Sequence, residues 1–141
     1  MEETILNYLD RVYTPAEARA MNPLTLAYIG DAIFSDYIRK YLIAQDIANV
    51  NHLTKASIKY VRADGQAKMV HELMDSLTPE EQSIVRRGRN THSIPPKHAD
   101  KMDYRYATGM EALIGYLELT GNIERQKELM VAGIECVENN N

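Results

Sequence analysis

The sequence predicts an all-α fold. Helix-start signals, a Thr or Asn cap followed at once by Pro, recur along the chain. No segment alternates apolar and polar residues between hairpin turns, and no internal repeat is evident. The composition, 45% hydrophobic and 26% charged, is ordinary for a folded globular chain. A chain of 141 residues forms one domain that buries roughly 70% of its unfolded surface. We read residues 1–141 as that domain, with a core over about 20–138.

Each element has its own signal. In "TPAE", Thr14 is an N-cap, Pro15 the first helical residue and Glu17 the closing member of a capping box. Asn22 and Pro23 repeat the cap-then-proline pattern and open a long apolar helix to about Ala44. Asn51 is read as the cap of a helix through "HLTKASIKYV". Asp64 starts the next, through "GQAKMVHELMDSL", unless the two are continuous. "TPEE" at 78–81 is a second capping box, followed by "QSIVRRGRN". Residues 91–99 contain Pro95 and Pro96 and read as a loop. A helix from about Lys101 to Thr120 is stopped by Gly121 in the left-handed conformation. Asn122 then caps a last amphipathic helix.

Composition excludes several classes. The single cysteine, Cys136, rules out an intrachain disulfide framework and a cysteine zinc site, and fits a reducing compartment. The acidic start "MEETILNYLDRVY" has no basic region before an apolar core, so no signal peptide is expected. No run of about 18 uncharged apolar residues exists, which excludes a membrane span. The expected location is cytoplasmic. Nine Tyr stand against one Phe and no Trp, and such rings, each with a hydroxyl needing a partner, suit a wet interface or groove. The net charge of −4 is unevenly spread: residues 1–36 and 106–141 each carry −4, residues 37–85 balance, and residues 86–105 carry +4. A local basic stretch in an acidic chain is a candidate phosphate-binding surface, or else a solvated loop.

Two carboxylates lack an explanation. "LTLAYIGDAIFSDYI", residues 24–38, is apolar on almost every face, as in a buried helix, yet carries Asp31 beside Gly30. The side chains three and four residues away are Ala27, Tyr28, Phe34 and Ser35, none of them cationic. Asp36, by contrast, has Arg39 and Lys40 at those offsets. Glu111, in "YATGMEALIGYLEL", likewise has Ala107, Thr108, Ile114 and Gly115. Asp31 is therefore expected in low dielectric, where an unpaired charge is costly. Gly30, Gly109 and Gly115 are expected to let the two helices approach closely enough for the acids to meet. Facing acids repel unless a cation lies between them, and an oxygen-only site suits Mg²⁺, with Mn²⁺ able to substitute. The alternative for each acid is a distant Arg partner or a helix cap.

"LAYIGDAIF" and "TGMEALIGYL" resemble the two acidic motifs of the ribonuclease III catalytic domain. With "RRGRN" at 86–90, "PPK" at 95–97 and "YRYATGMEALIGYL" at 104–117, the chain more specifically resembles the Mini-ribonuclease III family, over about residues 22–135. The resemblance implies a homodimeric, all-helical endonuclease without a separate double-stranded-RNA-binding domain. It further implies Mg²⁺-dependent hydrolysis of double-stranded RNA to 5′-phosphate and 3′-hydroxyl ends, in maturation of the large-subunit (23S) ribosomal RNA precursor. Asp31 and Glu111 match the catalytic, metal-holding acids. Ribonuclease III carries further carboxylates where this chain has Leu24, Ala27 and Thr108, which bears against a tightly held second metal.

Under this reading, Arg86, Arg87, Arg89, Lys97 and Lys101 supply sequence-independent phosphate contacts. Arg105, between Tyr104 and Tyr106, either joins them or holds its helix start. A-form RNA is read by shape, phosphate and 2′-hydroxyl across the minor groove, and the loop at 91–99 is the expected probe. His92 and His98 lie on that loop, and Lys55 with Lys59 forms a second, weaker candidate edge. Cutting both strands requires two dyad-related sites, hence a C2 dimer, with the apolar excess at 24–42 as core or interface. The expected partners are duplex RNA, a second copy of the chain and a ribosomal accessory protein. The rival readings are a non-catalytic duplex-RNA-binding module on the same fold and a helical protein-interaction domain.

Overall fold

The structure is a computed structural model that describes residues 2–91 and 93–139. Among these residues it contains helices and connecting turns and no strand. The helices are α1 (Glu2–Leu9), α2 (Pro15–Arg19), α3 (Pro23–Ile43), α4 (Val50–Val61), α5 (Ala63–Leu73), α6 (Pro79–Asn90), α7 (Lys101–Leu119) and α8 (Ile123–Asn139), with a 3-10 turn at Met74–Ser76.

Local chemistry sets most of the helix starts. Thr14 and Thr78 each accept from the backbone N–H three residues on, at 3.1 Å, while Glu17 and Glu81 return the bond at 2.9 Å. Asn22 accepts from Leu24 N at 2.9 Å, and Asp100 caps α7 through Asp103 N at 2.9 Å. Such a cap is worth about 1 kcal/mol. Gly121, at φ +74°, ends the α7 region in a conformation that an L side chain resists. The cap of α4 differs from the sequence reading: Asn49, not Asn51, accepts from His52 N at 3.0 Å. Starting there turns Leu53, Ala56 and Tyr60 toward the core. The chain breaks between α4 and α5 at Arg62, whose ψ of 154° is extended. Gly65 makes that corner feasible, since a Cβ on it would lie 2.1 Å from the Lys59 carbonyl oxygen. The acidic start of the chain, for which the sequence reading assigned no element, forms α1, and its residues 4–10 are all exposed.

α7 is the central helix, packed against α3, α5 and α6. Met110, Leu113 and Ile114 on α7 meet the core formed with Phe34, Ile38, Met69 and Ile84, and each of these is at most 1% exposed. Burying a side chain of this size contributes about 1.5–3 kcal/mol. The α3–α7 contact is backbone against backbone. A Cβ on Gly30 would stand 1.7 Å from the Glu111 carbonyl oxygen, and one on Gly115 would stand 1.9 Å from that of Leu26. The pairings 30 with 111 and 26 with 115 make the two helices antiparallel. Gly109 serves a different crossing from the one expected: its Cβ would meet the Val85 carbonyl oxygen at 2.7 Å, so it joins Gly88 in seating α6 on α7.

Polar ties fix the periphery. The buried Glu81 accepts twice from Arg125, at 2.8 and 2.9 Å, pinning α8 to α6. Gln126, 1% exposed, donates to Ile114 O and Glu118, and accepts from the Tyr37 hydroxyl at 2.6 Å.

Candidate active site

The antiparallel α3–α7 crossing puts Asp31 and Glu111 side by side. Gly30 rests on the backbone of Glu111 itself, so the neighbouring Asp31 stands close enough to the Glu111 carboxyl to perturb its titration. Glu111 is mostly buried on the central helix. Burial above all, and then the Asp31 carboxylate, push its pKa from the ordinary 4.5 up to about 8, while the Gln66 amide acts in the opposite direction. Burial and a like charge both disfavour the ionised form of Glu111.

Asp31 is exposed in the single chain, which corrects the expectation of a deeply buried carboxylate. α3 is not covered all round. Its outer stripe leaves Tyr28 84% and Leu24 37% exposed, and Asp31 continues that stripe one turn on. Asp36 is accounted for as expected, pairing with Lys40 at 2.8 Å. Among the described residues, no ion pair reaches Asp31 or Glu111. Among the same residues, no cluster of three or more His, Cys, Asp or Glu forms a larger metal cage. The site is thus a two-acid pair, one member half-buried on the central helix, the other open.

A ribonuclease III domain model matches residues 24–122, a span that contains both acids. The Mini-ribonuclease 3 of Thermoanaerobacter sp. (strain X514) is 43% identical over 141 residues, covering 98% of this chain and 99% of the relative. The chain belongs to the Mini-ribonuclease III family. The Mini-ribonuclease 3 of Brevibacillus brevis is 47% identical over 118 residues, covering 83% and 88% of the two chains. An X-ray crystal structure of a protein from Fusobacterium nucleatum superposes with a TM-score of 0.75 at 32% identity, covering 83% of this chain and 94% of that one. The chain is accordingly an endoribonuclease with the ribonuclease III domain fold.

The basic residues of the chain divide into two groups. Arg86, Lys97, Lys101, Arg105 and His98 are exposed; His92 lies outside the described residues. Lys101, with Tyr104 and Thr108, continues the face of α7 that carries Glu111, at the i+3 and i+4 spacings of a helix. Arg87 and Arg89 are half-buried and already engaged. Arg87 donates to the carbonyls of Arg19 at 2.7 Å and Met21 at 3.2 Å, tying α6 to the α2–α3 connection. Arg89 donates to Asn90 at 3.0 Å and to the Tyr106 hydroxyl at 3.3 Å, and covers the Tyr106 ring, whose other neighbour is His71. Lys55 and Lys59 line an open groove of about 520 Å³ with Arg62, Tyr60 and Glu138, away from the acids. Lys59 pairs there with Glu138 at 3.5 Å.

Sequence reading missed Gln66. Its side chain is 2% exposed and its Nε2 lies 3.5 Å from Glu111 Oε2. The available signal was a polar residue standing on the apolar stripe of α5.

No helix among the described residues is long and apolar enough to cross a membrane.

Proposed function

We propose that this endoribonuclease hydrolyses double-stranded RNA with Mg²⁺ held by Asp31 and Glu111, leaving 5′-phosphate and 3′-hydroxyl ends. The observation that carries the proposal is the acid pair itself: two carboxyl groups brought together by a backbone-tight helix crossing, with no cationic side chain between them. The donor set fits the metal. Two carboxylates offer oxygen ligands alone, which suits a hard cation that retains several waters. A bound Mg²⁺ supplies an activated water and neutralises charge at the scissile phosphate.

The chain's own residues do the rest. Glu111, fixed on the central helix, defines where the cation rests. Asp31, open to solvent, faces the approaching phosphate. Arg86, Lys97, Lys101 and Arg105 have free cationic ends to bind backbone phosphates. Arg87 and Arg89 hold the surface that presents them, with their remaining N–H donors turned to the same task. The loop at 91–99, with Lys97 and His98, probes the minor groove, and Lys55 and Lys59 form an outlying basic edge.

Duplex cleavage needs two such sites, and a C2 dimer through the outer stripe of α3 supplies them. The exposed Tyr28 and Leu24, one and two turns before Asp31 on the same face, support that face as the interface. The substrate we favour is the precursor of the large-subunit ribosomal RNA, with a ribosomal protein as accessory partner. The relatives named Mini-ribonuclease 3 support a ribonuclease activity, and the ribosomal substrate is our extension of it.

The test is cleavage of a long RNA duplex by the purified chain with Mg²⁺, with EDTA, with Mn²⁺, and on single-stranded RNA. Asp31→Asn and Glu111→Gln are run alongside, with folding checked by circular dichroism. Cutting confined to duplex and metal, and abolished in both folded variants, is the expected result. Undiminished cutting by either variant refutes the site assignment. Binding of duplex without cutting by the wild type leaves the non-catalytic module in its place.

A further inference from the structure

Four polar or charged side chains are buried among the described residues: Gln66, Glu81, Thr108 and Gln126. Three have structural employment. Glu81 is held by Arg125. Gln126 binds Ile114 O, Glu118 and Tyr37. Thr108 returns its hydroxyl hydrogen bond to Tyr104 O, one turn back on its own helix, at 3.0 Å. Gln66 differs, because its amide is aimed at the acid pair.

Its position is an unusual place for an amide. α5 packs through Ala67, Met69, Val70 and Leu73, each no more than 5% exposed, and Gln66 occupies the next place on that stripe. A buried amide without a partner costs about 1–3 kcal/mol, whereas Leu or Met fills such a site at no polar cost. The Gln66 partner is Glu111 Oε2, at 3.5 Å from Nε2. That separation is long, as hydrogen bonds in an unassembled catalytic site often are before they tighten. The chemistry also selects an amide. A Lys at this place would neutralise Glu111 permanently and displace a cation, and a third carboxylate would add repulsion. A neutral N–H donor orients the carboxyl group while leaving the charge of the site unchanged.

We propose that Gln66 is a positioning residue for Glu111, fixing the carboxylate orientation that, with Asp31, holds the divalent cation. The inference rests on the cation reading given above. Partners of metal-ligating side chains typically contribute 10–100-fold to metal affinity or activity, and the same factor is expected here.

The experiment uses the full chain and two variants, Gln66→Met, which keeps the length and removes the donor, and Gln66→Leu, which suits a buried helical site. Mg²⁺ binding is measured by calorimetry without RNA, thermal stability in EDTA, and cleavage rate against Mg²⁺ concentration. Both variants should melt in EDTA at or above the wild-type temperature. Their Mg²⁺ affinity should fall about 10–100-fold, cleavage at limiting Mg²⁺ should fall with it, and high Mg²⁺ should restore most of the rate without a change in KM for duplex. Wild-type Mg²⁺ affinity in either folded variant overturns the proposal, as does a lowered melting temperature in EDTA with metal affinity intact. Asp31→Asn and Glu111→Gln separate the two levels of inference. If they lose Mg²⁺ binding while Gln66→Met keeps it, the positioning role alone fails. If they bind Mg²⁺ like the wild type, the cation reading fails and the positioning role with it.

Discussion

Gly30→Ala tests whether the acid pair is set by backbone contact. The added methyl would be 1.7 Å from the Glu111 carbonyl oxygen, 2.7 Å from its carbon and 2.9 Å from Gly115 N. All three atoms are backbone, so no rotamer change relieves the clash. Restoring even a 3.0 Å contact requires moving α7 from α3 by about 1.3 Å,. Overpacking of this kind costs typically 1–3 kcal/mol and occasionally more, and backbone-only contact puts it at or above the upper end. The helix-propensity gain of Ala over Gly returns about 1 kcal/mol. The net loss is about 2–3 kcal/mol, or roughly a 10 °C fall in Tm for a domain of this size. Because the atom struck belongs to Glu111, a displacement of about 1 Å should also cut the rate about 10²-fold in the molecules that remain folded. The assays are a melting curve and single-turnover duplex cleavage corrected for folded fraction. Gly133→Ala is the internal control: its methyl would meet the flexible Met69 side chain, Sδ at 3.0 Å, and should shift stability by less than about 1 kcal/mol. A Gly30→Ala protein with wild-type Tm and rate would refute backbone-set geometry.

Three further outcomes are expected. In EDTA, Glu111 with its pKa raised from 4.5 to about 8 binds more protons folded than unfolded between those values. Stability should therefore fall as pH rises through that window, by at most about 1.4 kcal/mol per pH unit; Glu111→Gln should flatten the Tm–pH profile, and an equally steep profile in that variant would refute the assignment. Removing Arg86, Lys97 or Lys101 singly to Ala should weaken duplex binding at all sequences and reduce the slope of log affinity against log salt by about 1 each, read by filter binding at several salt concentrations. The proposed C2 dimer through α3 requires the wild type to scatter light as a dimer and Tyr28→Glu, at an 84% exposed position, to scatter as a monomer with a nearly unchanged melting temperature. A monomeric wild type refutes the dimer, and a variant that stays dimeric places the interface elsewhere.

What the sequence made legible follows from how local each signal is. The boxes at Thr14 and Thr78 and the caps at Asn22 and Gly121 are decided within a turn of chain, and their helices begin or end where read. The cap of α4 was misplaced because "NVN" offers Asn49 and Asn51 two residues apart, and the tie is broken only by which choice turns Leu53 and Tyr60 inward. α1 lacks a cap signal, and its exposed residues 4–10 gain nothing from the core of the chain. The pairing of Asp31 with Glu111 was readable because both lacked a cation at helical spacing. The exposure of Asp31 was not, since an apolar stripe at Leu24 and Tyr28 reads alike whether it meets core, solvent or another copy. Gln66 and Arg87 were beyond local reading: one finds its partner 45 residues away, the other 66 and 68 away.

The two acids are unequal, and the inequality has one structural origin. α7 is enclosed by three helices while α3 lies at the edge of the bundle, so the same crossing that buries Glu111 leaves Asp31 open. Gly30 sets the separation of their backbones by steric exclusion, a constraint stiffer than any side-chain hydrogen bond. A catalytic pair needs its spacing held to about 0.5 Å, and two antiparallel helices in backbone contact provide that without help from surrounding side chains. What backbone contact leaves unfixed is the rotation of each carboxylate about its own side chain. Asp31, short and exposed, is free to turn. Glu111 has one more rotatable bond, and Gln66 is the buried group in reach to hold it. Under the proposed reading, one acid locked and one free would keep a cation in place while leaving room for the RNA backbone to enter.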